Sequence, residues 1–423
     1  MLDINLIRQN PEKVKEALLK RLDNVSFDEL LAWDQEKRTI GTKRDEMKNQ
    51  RNVISKKIPL LKKEGKDVAA DIEAMQKLGE EILALDQKFN ELEQKIYDFL
   101  IRLPAIPDND VLAGGKENNE IIRTSGEKPE FAFPVKDHVK LATDLGLIDY
   151  ERGVKISGAG HWIYTGIGAQ LEWALLNYFI DNHIKDGWQF MLVPHMLNYQ
   201  CGLTAGQFPK FEEDVYWLDN VTQREQFLLP TAETALANVH LNEILKADEL
   251  PKKYFGFTPC YRKEAGSSRV EERGTVRGHQ FNKVEMFQYV TQEKSDDAFL
   301  EMVNKAEFLV KELGLHFQTS KLAAEDCSAG MCKTYDIEVW IPSMNQYKEV
   351  SSISNSRDYQ ARRGMMRYRD AEGNKEYMHT LNASGLATSR LLPAILEQYQ
   401  QNDGSIIIPE VLRPYMNNMT KIK

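Results

Sequence analysis

The stretch YFGFTPCYRKEAGSSRVEERGTVRGHQFNKVEMFQYV (254–290) decides the architecture. Its two ends are aromatic and β-branched runs that read as strands. Two further runs, TYDIEVWIP (334–342) and YKEVSSIS (347–354), read the same way, and few helical patterns separate the four. An antiparallel sheet with flanking helices is therefore expected, rather than a doubly wound parallel sheet. Arg262 and Glu264 follow the strand that ends at Tyr261, and their i, i+2 spacing on extended chain points both to one face. Arg277, His279 and Phe281 repeat that spacing where the return strand begins. If the strands pair, one face carries two guanidiniums, a carboxylate and an aromatic ring. Guanidinium grips phosphate, a ring stacks on a base, and a carboxylate accepts from an exocyclic amine. That set is complementary to ATP without a P-loop, and no GxxxxGK[ST] occurs. A salt-bridged surface hairpin is the alternative.

Three companion stretches carry chemistry of the same kind. YKEVSSISN (347–355) offers Glu349 and Ser352, hard oxygen ligands suited to Mg²⁺ held together with nucleotide phosphates. HTLNASGLATSRLLPAIL (379–396) reads as a strand, a small-residue turn at Ala383–Gly385 and an apolar helix from about Leu386 that carries Arg390. LLPTAET (228–234) reads as an apolar strand ending in Thr231, Ala232 and Glu233, either a helix cap or a small polar pocket that holds an amine.

Upstream, residues 26–101 have the composition of long helices. Leu78, Ile82, Leu85, Phe89, Leu92, Ile96, Phe99 and Leu103 alternate spacings of four and three, a coiled-coil seam. Ile40, Met47, Ile54, Ile58 and Leu61 supply the facing seam, and KKEGKD (62–67) suits the turn between two antiparallel helices. Pro59 is expected to kink or end the first helix. Between Lys37 and Lys66 stand eleven Lys or Arg against three acids, a local +8 in a chain whose total is -9. A solvated helix face and a rod that reaches RNA phosphates both fit that charge. PAIPDNDVLAGGKENNE (104–120) reads as a linker, and residues 167–184 read as a helix followed by the strand FMLVP (190–194). The four cysteines are too scattered for a disulfide framework and no zinc site is expected. No stretch approaches the roughly 20 apolar residues of a spanning helix, and the first residues carry no signal peptide, so a cytoplasmic protein with no membrane partner is expected.

Taken in order, TAE, YRKEAG…RGHQFNKVE, KTYDIEVW…EVSSISNSRDYQARR and HTLNASGLATSR resemble the seryl-tRNA synthetases, class II aminoacyl-tRNA synthetases, of the bacterial type. The likeness covers nearly the whole chain. It implies an α+β protein: a tRNA-binding helical-arm domain over 1–110 and a class II catalytic domain over 111–423, built on an antiparallel sheet. It also implies a homodimer joined through the helix at 167–184 and the strand after it. The implied reaction activates L-serine with ATP to seryl-adenylate and passes the seryl group to the 3′-end of tRNA(Ser), and of tRNA(Sec) where that tRNA exists. Carried over to this sequence, Arg262 and Arg390 are the catalytic arginines. ATP falls to Arg262, Lys263, Glu264, Phe281, Glu349, Val350, Ser351, Ser352 and Arg390, with Mg²⁺ on Glu349 and Ser352. Serine falls to Thr231, Ala232, Glu233, Arg262, Glu285, Asn382 and Ser384. Lys43, Lys48 and Arg51 represent the tRNA-binding arm. The chain departs from the family pattern at Lys263, at LTAGQFPKF (203–211), at Gly278 and the Ser268–Arg269 pair, and at Ser356, which stands where the pattern has cysteine. Two rivals stay open: an amino-acid-activating paralogue that loads a carrier protein or serves as an inhibitor-resistant second copy, and an RNA-binding or regulatory protein with an inactive body.

Overall fold

A computed structural model describes residues 1–219, 225–264 and 273–423. Its contacts divide the chain into two compact units. One comprises Leu2–Leu19 with Asp23–Leu103; the other comprises Met1, Lys20–Leu22 and Pro104–Lys423. The sequence boundary near 110 and this division differ by the Pro104–Asp110 segment. That segment is bound into the larger unit by backbone, the Ala105 N–H donating to Ala329 O at 2.7 Å and the Asp108 N–H to Cys332 O at 2.9 Å.

The smaller unit is a helical hairpin of Asp28–Lys63 and Ala69–Leu100, each roughly 50 Å long at 1.5 Å per residue. Met47 of the first helix and Ile82, Leu92 and Ile96 of the second are buried, so the heptad positions face inward as their spacing requires. The turn has Gly65 at φ 71, with Lys66 N–H donating to Leu61 O and Gly65 N–H to Lys62 O. That pair of bonds is a Schellman closure, which needs a left-handed residue at this position. Pro59 does not end the first helix, which continues to Lys63. The carbonyl its missing N–H leaves unpaired belongs to Ser55, an exposed residue whose carbonyl solvent can reach. Two short helices, Ile4–Gln9 and Pro11–Leu18, precede the hairpin, and Arg8 grips Asp34 with two 2.8 Å bonds.

Among the described residues, the larger unit holds an eight-stranded sheet. In chain order its strands are β1 (Glu120–Ser125), β2 (Gln189–Met191), β3 (Lys252–Tyr261), β4 (Gln280–Val290), β5 (Phe317–Lys321), β6 (Lys333–Ile341), β7 (Gln346–Arg357) and β8 (His379–Ala387). The spatial order is β1-β5-β6-β7-β8-β4-β3-β2, antiparallel throughout except for the β2–β3 pair. The antiparallel expectation therefore holds, and the four strands read from sequence form the adjacent pairs β3–β4 and β6–β7. Helices Gly166–Lys185, Ser295–Glu312 and Thr388–Gln398 contribute Leu175, Phe179, Met302, Val303, Leu391 and Ile395 to the core shared with the sheet.

Two local readings are corrected. β8 runs unbroken through Ala383, Ser384 and Gly385, and the helix begins at Thr388 rather than Leu386. The small residues lie at the start of a register shift between Ser384 and Ala387, so they serve a bulge and not a turn. In β6, Asp336 and Trp340 are buried along with Ile337, Val339 and Ile341, so burial does not alternate along the strand. The strand lies between β5 and β7 in the sheet.

Candidate active site

The β3–β4 register places Cys260 opposite Phe281 and Tyr261 opposite Gln280, and the ladder continues with Arg262 N–H donating to His279 O at 2.9 Å. Arg262 and Phe281 therefore share a face, and the guanidinium carbon lies 5.2 Å from the ring centroid. Arg262 Nε donates to Pro230 O at 3.3 Å, which ties the β3 end to the segment before Thr231. Glu264 does not follow the expected i, i+2 alternation. It lies past the strand with φ 49, and its Oε2 accepts from Arg277 Nη2 at 2.5 Å. The second guanidinium of the opening stretch thus positions the carboxylate. Between them, Lys263 N–H donates to Asp214 O at 2.9 Å. Residues 265–272, including Gly266 and the Ser268–Arg269 pair, lie outside the described residues, as does the first part of the loop running on to Arg277.

The return arm meets the helix that carries Arg390. Thr275 Oγ1 donates to Ser389 O at 2.8 Å, and Arg390 Nε donates to Val276 O at 3.2 Å. Arg390 Nη1 then reaches Glu349, 3.1 Å from its backbone oxygen and 3.2 Å from Oε2. Arg262, Phe281, Glu264, Arg390 and Glu349 therefore stand on segments locked to one another.

Glu349 and Ser352 share a face only because β7 is bulged. Ile337 faces Ser351 while the next residue of β6, Glu338, faces Glu349, which leaves Val350 as the extra residue. A regular strand would turn residues i and i+3 to opposite faces. Val350 and Ser351 are buried, and the Ser351 hydroxyl donates to Ser384 O at 2.5 Å. Their side chains thus belong to the core and do not line the open site. Asp336, which sequence reading passed over, lies opposite Ser352. Burial, followed by the charge of Glu349, holds its carboxyl well above the usual range, against a hydrogen bond from Ser352. Asp336 Oδ1 is buried without a hydrogen-bond partner. Among the described residues no group of three or more His, Cys, Asp or Glu could hold a metal, so Glu349 and Ser352 offer a divalent ion two oxygens that a ligand must supplement.

A second cluster of polar side chains surrounds Glu233. Thr231 caps the helix Ala232–Leu236, its Oγ accepting from Glu233 N–H at 3.2 Å, so the cap alternative is realised. The Glu233 carboxylate lies against two amides. Gln360 Nε2 and Asn382 Nδ2 donate to Oε1 at 2.9 and 3.0 Å. Burial and then the charge of Glu285 push Glu233 up to about 7, opposed by Lys283 and Arg262. Lys283 and Glu285, both buried, pair at 2.6 Å, and Ser384 lies opposite Glu285 in the ladder. Ala232 is fully buried and packs in the core beside Leu236 and Tyr254. Gln360 and Lys283 were missed from sequence. Lys283 had a signal, since it stands two residues before Glu285 on one strand face; Gln360 sits on a separate short helix, Tyr359–Gly364, and had none.

Glu172 of the helix Gly166–Lys185 ties β4 to the helix that carries Arg390. Its Oε1 accepts from Thr388 Oγ1 at 2.6 Å and from Asn282 Nδ2 at 2.8 Å. Those partners begin the Arg390 helix and follow Phe281. Burial pushes Glu172 up to about 7, against the hydrogen bonds from Thr388, Asn282 and Tyr164.

In the hairpin unit Lys43 is exposed, while Lys48 Nζ lies 3.0 Å and Arg44 Nη1 3.5 Å from Asp86. Lys37 pairs with Glu93 at 2.7 Å and Lys57 with Asp71 at 3.9 Å. Acids of the returning helix thus offset part of the excess read along the first. Arg51 is half-buried.

The family profile for the seryl-tRNA synthetase N-terminal domain matches residues 1–107, and that for the tRNA synthetase class II core domain (G, H, P, S and T) matches residues 216–399. The serine–tRNA ligase 2 of Clostridium acetobutylicum is 60% identical over 420 residues, which are 98% of this chain and 99% of that protein. The serine–tRNA ligase of Thermodesulfovibrio yellowstonii is 44% identical over 422 residues, 98% of this chain and 99% of its own. Among solved structures, the seryl-tRNA synthetase of Pyrococcus horikoshii complexed with ATP superposes with a TM-score of 0.92 at 35% identity, over 100% of this chain and 99% of that one.

Proposed function

The chain belongs to the seryl-tRNA synthetase family and is an aminoacyl-tRNA ligase, and we propose that the residues gathered around Arg262 carry both of its half-reactions. The observation that carries this assignment is the position of Arg262. It lies over Phe281 on the nucleotide side and is bonded to Pro230, next to Thr231, on the amino-acid side. A single guanidinium there holds the α-phosphate of ATP and the carboxylate of serine together.

The serine carboxylate attacks the α-phosphorus in line, the bond to the β-phosphate oxygen breaks, and pyrophosphate leaves seryl-adenylate behind. The 3′-hydroxyl of the terminal adenosine of tRNA(Ser) then attacks the seryl carbonyl, and AMP departs. No side chain acts as a nucleophile. Arg262 stabilises the charge that develops on the α-phosphate, and Arg390 faces the distal phosphates. Phe281 stacks on adenine, and Glu264, oriented by Arg277, accepts from its amine. Lys263 lies between these two nucleotide-binding residues, and Val350 and Ser351 act through the backbone shape they give the Glu349–Ser352 bulge. Glu349 and Ser352 fit Mg²⁺ by their hard oxygens on one face, beside the unpartnered Asp336 Oδ1. Bound there with ATP, the ion would neutralise phosphate charge. Glu233 receives the serine ammonium group, flanked by Thr231 and Ala232. Glu285, Asn382 and Ser384 surround the hydroxyl, which lets the pocket reject alanine by about 10⁴ because its buried polar groups would be left unpaired.

Residues 1–110 serve as the tRNA-binding arm, with Lys43, Lys48 and Arg51 meeting phosphates, and residues 111–423 as the catalytic domain. Trp173 and Ile184 of the helix Gly166–Lys185 are each 51% exposed and Leu192, just after β2, is 79% exposed, an apolar surface that supports the homodimer. Among the described residues no helix is long and apolar enough to cross a membrane; we place the enzyme in the cytoplasm, where tRNA is charged, and extend its substrates to tRNA(Sec) where one is made. The test is serine-dependent ATP–pyrophosphate exchange. Arg262→Ala abolishes it under the proposed assignment, and exchange that survives the substitution would remove Arg262 from the centre of the reaction.

A further inference from the structure

Behind the Glu233 pocket, a run of hydroxyl and amide groups reaches back into the core. Gln360, Thr380 and Ser356 are each 0% exposed. Gln360 Nε2 lies 3.0 Å from Ala205 O and 2.9 Å from Glu233 Oε1. Both partners are acceptors, so the amide nitrogen faces them and Oε1 points the other way. Thr380 Oγ1 lies 2.8 Å from that oxygen. A hydroxyl carries one hydrogen and Gln360 Oε1 has none to give, so Thr380 donates to Gln360. Ser356 Oγ lies 2.5 Å from Thr380 Oγ1 and must donate there, at a separation shorter than its approaches to Thr380 O at 3.2 Å and Arg357 O at 3.5 Å. The run therefore has one direction: Ser356 to Thr380 to Gln360 to Glu233.

We infer that Ser356, Thr380 and Gln360 are positioning residues for the amino-acid pocket, holding Glu233 Oε1 so that Oε2 meets the substrate's ammonium group. The inference rests on the reading of that pocket as the serine site. Each donor in the run makes the next hydroxyl or amide a better donor, and the dry surroundings strengthen every link. Without the Thr380 hydroxyl, Gln360 Oε1 is left unpaired in a buried site, its amide no longer has a fixed orientation, and Glu233 loses one of its two amide donors. The nucleotide side, built on Phe281, Arg390 and Glu349, has no member in the run. A sulfhydryl at 356 is a weak donor, so the serine found there strengthens the first link.

The experiment is ATP–pyrophosphate exchange by the full chain, with serine and ATP varied separately, for Thr380→Val, Thr380→Ser, Ser356→Ala and Ser356→Cys. Thr380→Val keeps the shape and removes the hydroxyl; it should raise the serine KM about tenfold while the ATP KM stays within about twofold. Thr380→Ser should restore the serine KM, and Ser356→Ala and Ser356→Cys should raise it by smaller factors. Where Thr380→Val does not fold, Ser356→Ala decides by the same split between the two KM values. An unchanged serine KM, or equal rises for serine and ATP, overturns the inference. Absence of serine-dependent exchange in the unaltered protein overturns the pocket reading itself.

Discussion

Serine binding should titrate on Glu233. Burial and the neighbouring Glu285 raise this carboxyl to about 7, with Lys283 and Arg262 opposing. The substrate ammonium group pairs with the ionised form alone, so affinity improves as pH rises. For a group titrating at about 7, the ionised fraction climbs from about one-eleventh at pH 6 to about ten-elevenths at pH 8. The serine KM should therefore fall about tenfold over that interval, and most of the change should lie between pH 6 and 7.5. Glu233→Gln keeps an acceptor for Gln360 and Asn382 but has no charge to gain. Its serine KM should be high and flat with pH. The assay is pyrophosphate exchange at saturating ATP and constant ionic strength, with initial rates taken over a serine series at each pH. A pH-independent serine KM in the unaltered enzyme, or the same slope in Glu233→Gln, would refute the reasoning.

Two further outcomes follow from buried or paired carboxylates. Glu172 sits at about 7 against an ordinary 4.5, so between those values the folded chain keeps a proton that the unfolded chain releases. Its contribution is fully present below about 4.5 and is lost as pH rises through 7, by at most about 3 kcal/mol. The melting temperature of Glu172→Gln relative to the unaltered protein should therefore rise from pH 5 to pH 8, and a constant difference would mean that the burial is not felt. Glu349→Gln should raise the Mg²⁺ concentration for half-maximal exchange by at least about tenfold while the serine KM stays the same; an unchanged Mg²⁺ requirement would place the ion elsewhere.

The parts of the fold that were legible in the sequence are those governed by local period. The Leu78–Leu103 seam repeats every seven residues and could pack only as a coiled coil, and the aromatic runs at 254–261 and 281–290 could hardly be anything but strands. The site was legible in its residue types but not in its geometry. Glu264 left the strand alternation because its backbone is left-handed, a local conformation that pattern does not encode. Glu349 and Ser352 reached one face through a bulge whose extra residue, Val350, reads like any other strand valine. The +8 of the arm was a count along one helix, and Asp86, Glu93 and Asp71 stand across from it on the other. Gln360 and Asp336 were invisible because each matters through a partner far away in sequence. Long-range pairing is the information that a period of 2 or 3.6 does not carry.

We propose a division of labour in which the sheet unit performs the chemistry and the hairpin holds the tRNA. Its most direct test is the triple change Lys43→Gln, Lys48→Gln, Arg51→Gln, with serine activation and tRNA(Ser) charging measured on the same preparation across a salt series. Activation should be unchanged, charging weaker, and the salt dependence of tRNA binding shallower, by about one unit of log–log slope for each phosphate that is no longer neutralised. Lys48 should contribute least, because Asp86 already holds it. Equal loss of activation and charging would contradict the account, since the hairpin cations would then support the fold and not the RNA.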